Sequence, residues 1–286
     1  TAMLRASHLK EWRSSAVDPE IISLNVESLE GDTALERLTE NAIEGIGAAQ
    51  KTPPSHQYAT APVGEILNRY SDMSGEGWWC SGMDVLTGEV SKWGCFKPDR
   101  PRLSQEKLKP IKYEHPSKVA TEIFALRVSY RIGLKIAKKY DLRDQYVERI
   151  LKANDSGEKA TKRIKSAGFG DPAADVTGGD RNRDSENRKR VSPSSNFDCI
   201  QEAAFLSLDP DILDSEDRDF WQWVIERPSI DLLITEGAKK AGSLLSAGYV
   251  GISLPGIFNG YRQPKDEMGQ PTGPAQLIPQ LQAFCQ

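Results

Sequence analysis

Features that are scarce or missing in this sequence exclude whole classes of protein. Cysteine occurs only four times in 286 residues, without the Cys-x-x-Cys spacing of a zinc ribbon, and such widely spaced cysteines predict no disulfide framework. No apolar run is long enough to cross a bilayer and no secretory segment is visible, so we expect a cytoplasmic protein without a membrane partner. The net charge of −4 argues against a general polyanion binder, although local basic clusters can still contact nucleic acid.

The best-specified stretch, residues 230–255, predicts a strand, a helix and a second strand. Its mainly apolar start, residues 230–234, is typical of a buried parallel strand. Residues 238–247 place small and apolar side chains on one face at helical spacing, and Gly248 is a suitable C-terminal cap. The apolar run at residues 249–254 then predicts a second strand, reached by a right-handed crossover.

Glu236 is the acidic side chain at the switch from the first of these strands to the helix. Open parallel sheets bind their ligands at the carboxyl ends of strands, so we expect this carboxylate to face a cleft. The sequence Thr235-Glu236-Gly237, followed by a helix of small residues, resembles the first motif of the Toprim fold, which bacterial-type primases, topoisomerases and related nucleases share. The alternative is that Glu236 only favours the positive end of the helix.

Short helices are predicted at the start of the chain. Leu4–Ser14 is amphipathic, and Asp18 with Pro19 forms a good beginning for a second helix. Two helices joined by a tight turn are either a DNA-binding helix-turn-helix or a packing hairpin, and packing hairpins are commoner. A further helix is predicted at Thr33–Ala42, followed by a loose segment rich in glycine and proline.

A β-hairpin is predicted next, because two aromatic clusters, residues 77–82 and 93–98, flank a turn at Gly88. The aromatic side chains either form the core of a small sheet or stack on single-stranded nucleic acid, and we favour the core. Basic residues lie directly beyond the hairpin. Among them Lys97 and Arg102 are candidates for phosphate contacts.

Composition divides the chain into four regions. Residues 154–196 are almost free of apolar side chains and predict a disordered linker or surface loop, because such a stretch cannot bury enough surface to become ordered. The regions around it are an N-terminal helical region at residues 1–62, an α+β region with aromatic and basic clusters at residues 63–153, and an α/β region at residues 197–286.

Motifs in a fixed order carry a resemblance to one family. They are GWWCSG at 77–82, WGCFKP at 93–98, IKYEHP at 111–116, TEGAKKA at 235–241 and SAGYVGISLPG at 246–256. The chain is similar to the DUF3854 family, Toprim-like proteins of cyanobacterial plasmids, phages and replication loci. In bacterial-type primases, too, a Lys-Tyr segment that closes on a proline precedes the Toprim strand, as Lys112-Tyr113 to Pro116 does here.

The resemblance implies an α/β fold, in which an N-terminal α+β region is followed by the start of a Toprim-like parallel sheet that is incomplete at its C-terminus. It implies the N-terminal fragment of a DNA replication-associated, primase-like protein whose partners are single-stranded or primed DNA, nucleotides and a helicase region. In a primase-type nucleotidyltransferase, Mg²⁺ neutralises phosphate oxygens, while Glu236 handles a proton or helps to hold the metal. Lys112 and Lys239 are then expected to contact phosphate.

The family pattern also calls for an Asp-x-Asp pair on the next strand, to bind the metal. The sequence contains no such pair between Glu236 and Gln286, so we expect it beyond Gln286, after a predicted helix at Leu277–Phe284. Thr1 in place of an initiator methionine agrees with a fragment, which we expect to be inactive alone. Two alternatives stay open: a non-catalytic, DNA-binding plasmid replication initiator with a Toprim-like scaffold, and a small-ligand-binding or nucleotide-binding α/β domain.

Overall fold

The computed structural model describes residues 4–50, 63–104, 108–117, 119–153, 210–264, 266 and 268–285. These residues form a mixed α/β structure with a three-stranded antiparallel sheet, a parallel pair of strands and a short antiparallel pair. The predicted linker at residues 154–196 lies outside the described residues. No helix in the described ranges is long and apolar enough to cross a membrane.

The first half of the described chain supplies the antiparallel sheet and the helices around it. Its elements are α1 (Ala6–Arg13), α2 (Pro19–Asn25), β1 (Val26–Leu29), α3 (Thr33–Gln50), α4 (Val63–Arg69), β2 (Gly77–Met83) and β3 (Val90–Pro98). The two predicted N-terminal helices are confirmed, and the Asp18 carboxylate caps α2 by accepting a hydrogen bond from the Glu20 N–H at 2.9 Å. Trp12, Ile21 and Ile22 are buried in the core, so the two helices use their apolar faces for packing.

The predicted end of this helix at Ala42 is wrong, because α3 continues to Gln50. The rest of the predicted loose segment, residues 51–54, lies outside the described residues. Each glycine inside a helix costs about 1 kcal/mol relative to alanine. Gly45 and Gly47 are, however, surrounded by alanine, isoleucine and glutamate. These neighbours are compatible with a helix, and the segment stays in it.

The predicted hairpin is confirmed and supplies two of the three strands of the antiparallel sheet. The strand order is β1-β2-β3, and the turn contains Gly88 with φ of 74°. Alternation along the strands sends Trp78 into the main core and Trp79 with Phe96 into a second apolar cluster against α3 and α4. Since Trp78, Trp79, Trp93 and Phe96 are at most 3% exposed, the core interpretation is confirmed. Stacking of these four rings on nucleic acid is excluded in this structure.

The second half of the described chain contains shorter elements. They are α5 (Tyr130–Lys139), α6 (residues 143–153), α7 (Pro210–Asp214), α8 (Phe220–Ile225), β4 (Leu233–Glu236), α9 (Ala238–Ser246), β5 (Gly251–Leu254), β6 (Tyr261–Arg262), β7 (Gln276–Leu277) and α10 (Pro279–Gln282). The helix predicted at Leu277–Phe284 is only partly correct. Leu277 instead pairs with Tyr261 in the small sheet, and Pro279 occupies the first turn of α10.

The predicted strand, helix and strand around Glu236 are confirmed as β4, α9 and β5. The two strands are parallel, with Ile234 opposite Ile252. The prediction that the first strand is buried is wrong, because Ile234 is 55% exposed and Leu233 is 37% exposed, whereas Ile252 is fully buried. Among the described strands β4 pairs only with β5, so the second edge of β4 makes no strand pairing within the described residues.

A buried extended segment joins the antiparallel sheet to the parallel pair. The Phe124 N–H donates to the Ser253 carbonyl in β5 at 2.7 Å, and the Met83 N–H in β2 donates to the Ala125 carbonyl at 2.8 Å. These contacts are isolated bridges on the two sides of the segment, which forms no regular strand. One apolar core runs through α1, α2, this segment and β5. The regional boundaries drawn from composition stay a prediction.

Candidate functional site

A pocket of about 750 Å³ opens at the carboxyl end of β4. Its first side is the turn from β4 into α9, with Thr235, Glu236, Gly237, Lys239 and Lys240. Its second side comes from the antiparallel sheet and the segments after it, with Trp78, Cys95, Tyr113, His115 and Phe124. Glu236 thus lines a cleft, as its place at the end of a strand predicts, while its role there stays a prediction.

The turn into α9 leaves polar backbone groups at the pocket. Gly237 has φ of 83°, a conformation that favours glycine, and its N–H donates to the Leu254 carbonyl at 2.9 Å. Because glycine has no side chain, Gly237 cannot cap the first N–H groups of α9. A helix that begins in this way attracts anions through these N–H groups and through its dipole.

Two of the predicted phosphate-binding lysines meet at one carboxylate beside the pocket. The Lys97 Nζ lies 2.7 Å from Glu11 Oε2, and the Lys239 Nζ lies 2.6 Å from Glu11 Oε1. The Trp78 indole N–H also donates to Glu11 Oε2, at 3.1 Å. We call these four residues the Glu11 cluster. Both lysines are already paired within it, yet two ammonium groups against one carboxylate leave a net positive charge.

The charge of Glu11 is strongly favoured by its partners. Burial by itself raises the pKa of this carboxyl, but the hydrogen bonds from Lys239, Lys97 and Trp78 outweigh burial and lower the pKa to about 2. Glu11 could not be identified from the sequence because it lies 228 residues from Lys239. Its local pattern, a glutamate on a short amphipathic helix, gives no signal of such a role.

Arg102 and Lys112 are not brought to the pocket. The Arg102 guanidinium makes a two-pronged contact with Glu114, with Nε to Oε1 at 2.7 Å and Nη2 to Oε2 at 3.2 Å. The Glu114 side chain is only 2% exposed, so Arg102 neutralises a buried carboxylate. Lys112 is exposed on the extended segment before Tyr113. Phosphate binding by either residue stays a prediction.

His115 is a further pocket residue that analysis of the sequence missed. Its ring stacks on Trp93 with centroids 5.2 Å apart and planes 9° apart. Its Nδ1 lies 3.0 Å from the Gly94 carbonyl, which only a protonated Nδ1 can satisfy. Burial lowers the pKa of His115, although the contacts with Gly94 and Glu114 oppose the change. The available signal was a histidine within the IKYEHP motif.

The described residues do not form a magnesium site. No group of three or more histidine, cysteine, aspartate or glutamate side chains within the described ranges could hold a metal ion. Glu236 is the single carboxylate among the residues that line the pocket, and Lys239 and Lys240 follow it closely. Magnesium requires several oxygen ligands and negative charge. The Asp-x-Asp pair expected beyond Gln286 stays a prediction.

Comparison with known proteins finds a family-model match over the strand-end side of the pocket. Residues 220–286 match the family model of DUF3854, a domain of unknown function. The match supports the DUF3854 family, which the ordered sequence motifs predict. Because the DUF3854 region contains β4, Glu236 and α9, it supplies one side of the pocket, while the hairpin and His115 lie before it.

The similarity to a longer protein extends beyond the DUF3854 region. The chain is 36% identical over 278 residues to an uncharacterized protein of the cyanobacterium Picosynechococcus sp., and the alignment covers 96% of this chain. It covers 20% of that protein, so the chain spans about a fifth of the length of the curated relative. No solved structure matches the chain significantly.

Proposed function

We propose that this chain binds the phosphate groups of a nucleotide, either free or at the end of a DNA strand, as part of a primase-like, replication-associated protein. The observation that carries the proposal is the pocket at the end of β4, where the start of α9 and the side chains of Lys239 and Lys240 meet. Uncapped N–H groups, the helix dipole and ammonium groups are the elements that hold phosphate in proteins.

The size and polarity of the pocket support a nucleotide as the ligand. Its volume of about 750 Å³ lies within the range of small-molecule sites, about 300–1,000 Å³. Charged groups occupy the side formed by β4 and α9. The other side is largely aromatic, and there Tyr113 is 42% exposed. A nucleotide has the same division between a charged and a largely apolar part.

For a longer protein that contains this chain we propose primase-type nucleotidyl transfer, with Glu236 as the residue that accepts or donates a proton. The ordered motifs that resemble those of bacterial-type primases support this proposal. One observation favours a non-catalytic DNA-binding initiator instead: Glu236 lines the pocket without a second carboxylate. Lys239 and Lys240 at the start of α9 are equally compatible with a phosphate-binding scaffold that has no catalytic role.

The test measures binding of ATP, inorganic tripolyphosphate and a primed DNA oligonucleotide by isothermal titration calorimetry. Lys240→Ala is the informative variant, because Lys240 is exposed in the pocket and its removal leaves the contacts of Glu11 intact. We expect affinity for all three probes to fall about fivefold, as loss of one charge-assisted contact at a partly solvated site predicts. Lys109→Ala, an exposed lysine outside the pocket, is the matched control.

The outcomes separate the candidate functions. The proposal is overturned if the wild-type chain binds neither ATP nor tripolyphosphate. It is also overturned if Lys240→Ala and Lys109→Ala lose affinity for the probes to the same extent. Binding of ATP without DNA would identify a small-ligand domain. The transferase is supported if a longer protein that contains this chain incorporates nucleotides, and if its Glu236→Gln variant loses this activity but keeps its affinity for DNA. Unchanged incorporation in that variant would identify Glu236 as non-catalytic.

A further inference from the structure

We infer that His115 is the specificity-determining acceptor of the pocket, whose Nε2 accepts a hydrogen bond from the nucleoside part of the ligand. This inference rests on the proposed binding of nucleotide phosphate at the other side of the same pocket. It assigns to the IKYEHP segment a role in recognising the ligand, separate from the phosphate contacts of Lys112 that the sequence predicts.

The hydrogen-bond partner of Nδ1 determines what Nε2 can do. Nδ1 must carry the proton in order to donate to the Gly94 carbonyl at 3.0 Å. In the neutral ring Nε2 is then an acceptor with a free lone pair. No hydrogen bond to Nε2 is present among the described residues, and His115 lines the pocket. The lone pair is therefore available to a ligand that brings an N–H or O–H group.

The imidazole is held firmly by its surroundings. Its ring lies flat on Trp93, and its own carbonyl accepts a hydrogen bond from the Tyr70 hydroxyl at 2.7 Å. The preceding residue, Glu114, exchanges two backbone hydrogen bonds with Phe96, each at 2.8 Å, and its buried side chain is held by Arg102. A group fixed in this way loses little further freedom on binding, which favours affinity and selectivity.

The groups around His115 make this side of the pocket suitable for a nucleoside. The Tyr113 ring is partly exposed, while burial raises the pKa of the Cys95 thiol to about 12 and so keeps it uncharged. The positive charges lie on the other side, at Lys239 and Lys240. Nucleobases and sugars carry N–H and O–H donors, so a neutral acceptor beside an aromatic ring matches them, whereas tripolyphosphate has no base or sugar to place on this side of the pocket.

The experiment compares His115→Phe with His115→Gln in the full chain, using ATP and tripolyphosphate. Phenylalanine keeps a ring against Trp93 but removes the acceptor, whereas glutamine offers an amide N–H to Gly94 and an oxygen to the ligand. We expect His115→Phe to lower affinity for ATP about tenfold, as loss of one well-placed hydrogen bond predicts. We expect tripolyphosphate to bind as in the wild type and His115→Gln to recover most of the affinity for ATP.

Histidine NMR supplies a readout that a purely structural ring would not change. The chain has three histidines, so selectively ¹⁵N-labelled protein gives a spectrum in which His115 can be assigned by its absence from His115→Gln. We expect the free protein to show a neutral ring protonated on Nδ1. Addition of ATP should shift the ¹⁵Nε2 signal, whereas tripolyphosphate should leave it in place.

Two results would overturn the inference and leave the proposed function intact. One is wild-type affinity for ATP in a folded His115→Phe protein, and the other is an equal loss of ATP and tripolyphosphate binding in that variant. If His115→Phe does not fold, a ¹⁵Nε2 signal of the wild type that is unchanged by saturating ATP also overturns it. Failure of the wild type to bind either probe overturns both the proposed function and this inference.

Discussion

The antiparallel sheet and the parallel pair form the two sides of one pocket but differ in how completely they are covered. The hairpin strands β2 and β3 are packed between the main core and the cluster that contains α3 and α4. In the parallel pair, β5 is buried throughout whereas β4 is largely exposed. The side with His115 is therefore rigidly packed, while the strand that carries Glu236 retains an open side.

The difference indicates that the two sides have different roles. Selective recognition needs groups that are held by packing, and the hairpin side provides them. An exposed strand with an unpaired edge is a surface to which another strand can be added. We therefore expect the ligand-recognising side to be complete in this chain and the Glu236 side to depend more on its surroundings.

The largest effect is expected where the hairpin is most tightly packed. Phe96 is fully buried, whereas Phe258, in the loop after β5, is 71% exposed. Phe96→Ala should lower the free energy of unfolding by about 4 kcal/mol, through lost burial and the cavity left behind. Phe258→Ala should lower it by less than about 0.5 kcal/mol. Urea unfolding followed by circular dichroism measures both, and equal losses would remove the contrast between the regions.

A smaller effect is expected inside the parallel pair, where the same residue type lies on both strands. Ile234 and Ile252 are directly opposite each other, but Ile252 is buried and Ile234 is 55% exposed. Ile252→Ala should cost about 3 kcal/mol and Ile234→Ala less than about 1 kcal/mol. Urea unfolding of the two variants compares the strands directly. A loss at Ile234 as large as that at Ile252 would show that β4 is covered in solution.

The smallest effect concerns Glu11, which links β3 to α9 through Lys97 and Lys239. Its pKa in the folded protein, about 2, lies below the ordinary value of 4.5. The ionised carboxylate therefore stabilises the fold above about pH 4.5, and this contribution is lost as the pH falls towards 2. At pH 7, Glu11→Gln should cost on the order of 2 kcal/mol, after allowance for partial exposure.

The measurement for Glu11 is urea unfolding of wild type and Glu11→Gln at pH 7, 4 and 3. The difference in the free energy of unfolding should shrink at each step towards acid. Glu30→Gln is the control, because the Glu30 side chain is 70% exposed although it contacts Arg5, and such pairs contribute little. A difference that stays constant across this range would contradict the ion-pair explanation.

The parts of the fold that sequence analysis predicted correctly are those whose signal is local. The hairpin follows from two aromatic clusters that flank a turn at Gly88, and the unit of β4, α9 and β5 follows from apolar runs separated by glycine. The position of Glu236 at a cleft could be predicted because strand ends bind ligands in parallel sheets.

The features that sequence analysis missed depend on contacts between distant residues. An apolar run predicts a strand but does not reveal whether anything covers Ile234. The pairing of Glu11 with Lys239 across 228 residues leaves no periodicity in either segment. Strands of two residues, such as β6, are too short to show alternation. His115 was missed because the hydrogen-bond partner of its ring, the Gly94 carbonyl, is a backbone group of β3.

The distance along the chain between Glu11 and Lys239 has a consequence for biosynthesis. At 5–20 residues per second, the ribosome needs about 10–50 s to make the intervening 228 residues. The hydrogen bond from the Asp18 N–H to the Ser246 hydroxyl, 2.8 Å long, also spans 228 residues. We therefore expect these two contacts, which tie the first two helices to α9, to form only after α9 has left the exit tunnel.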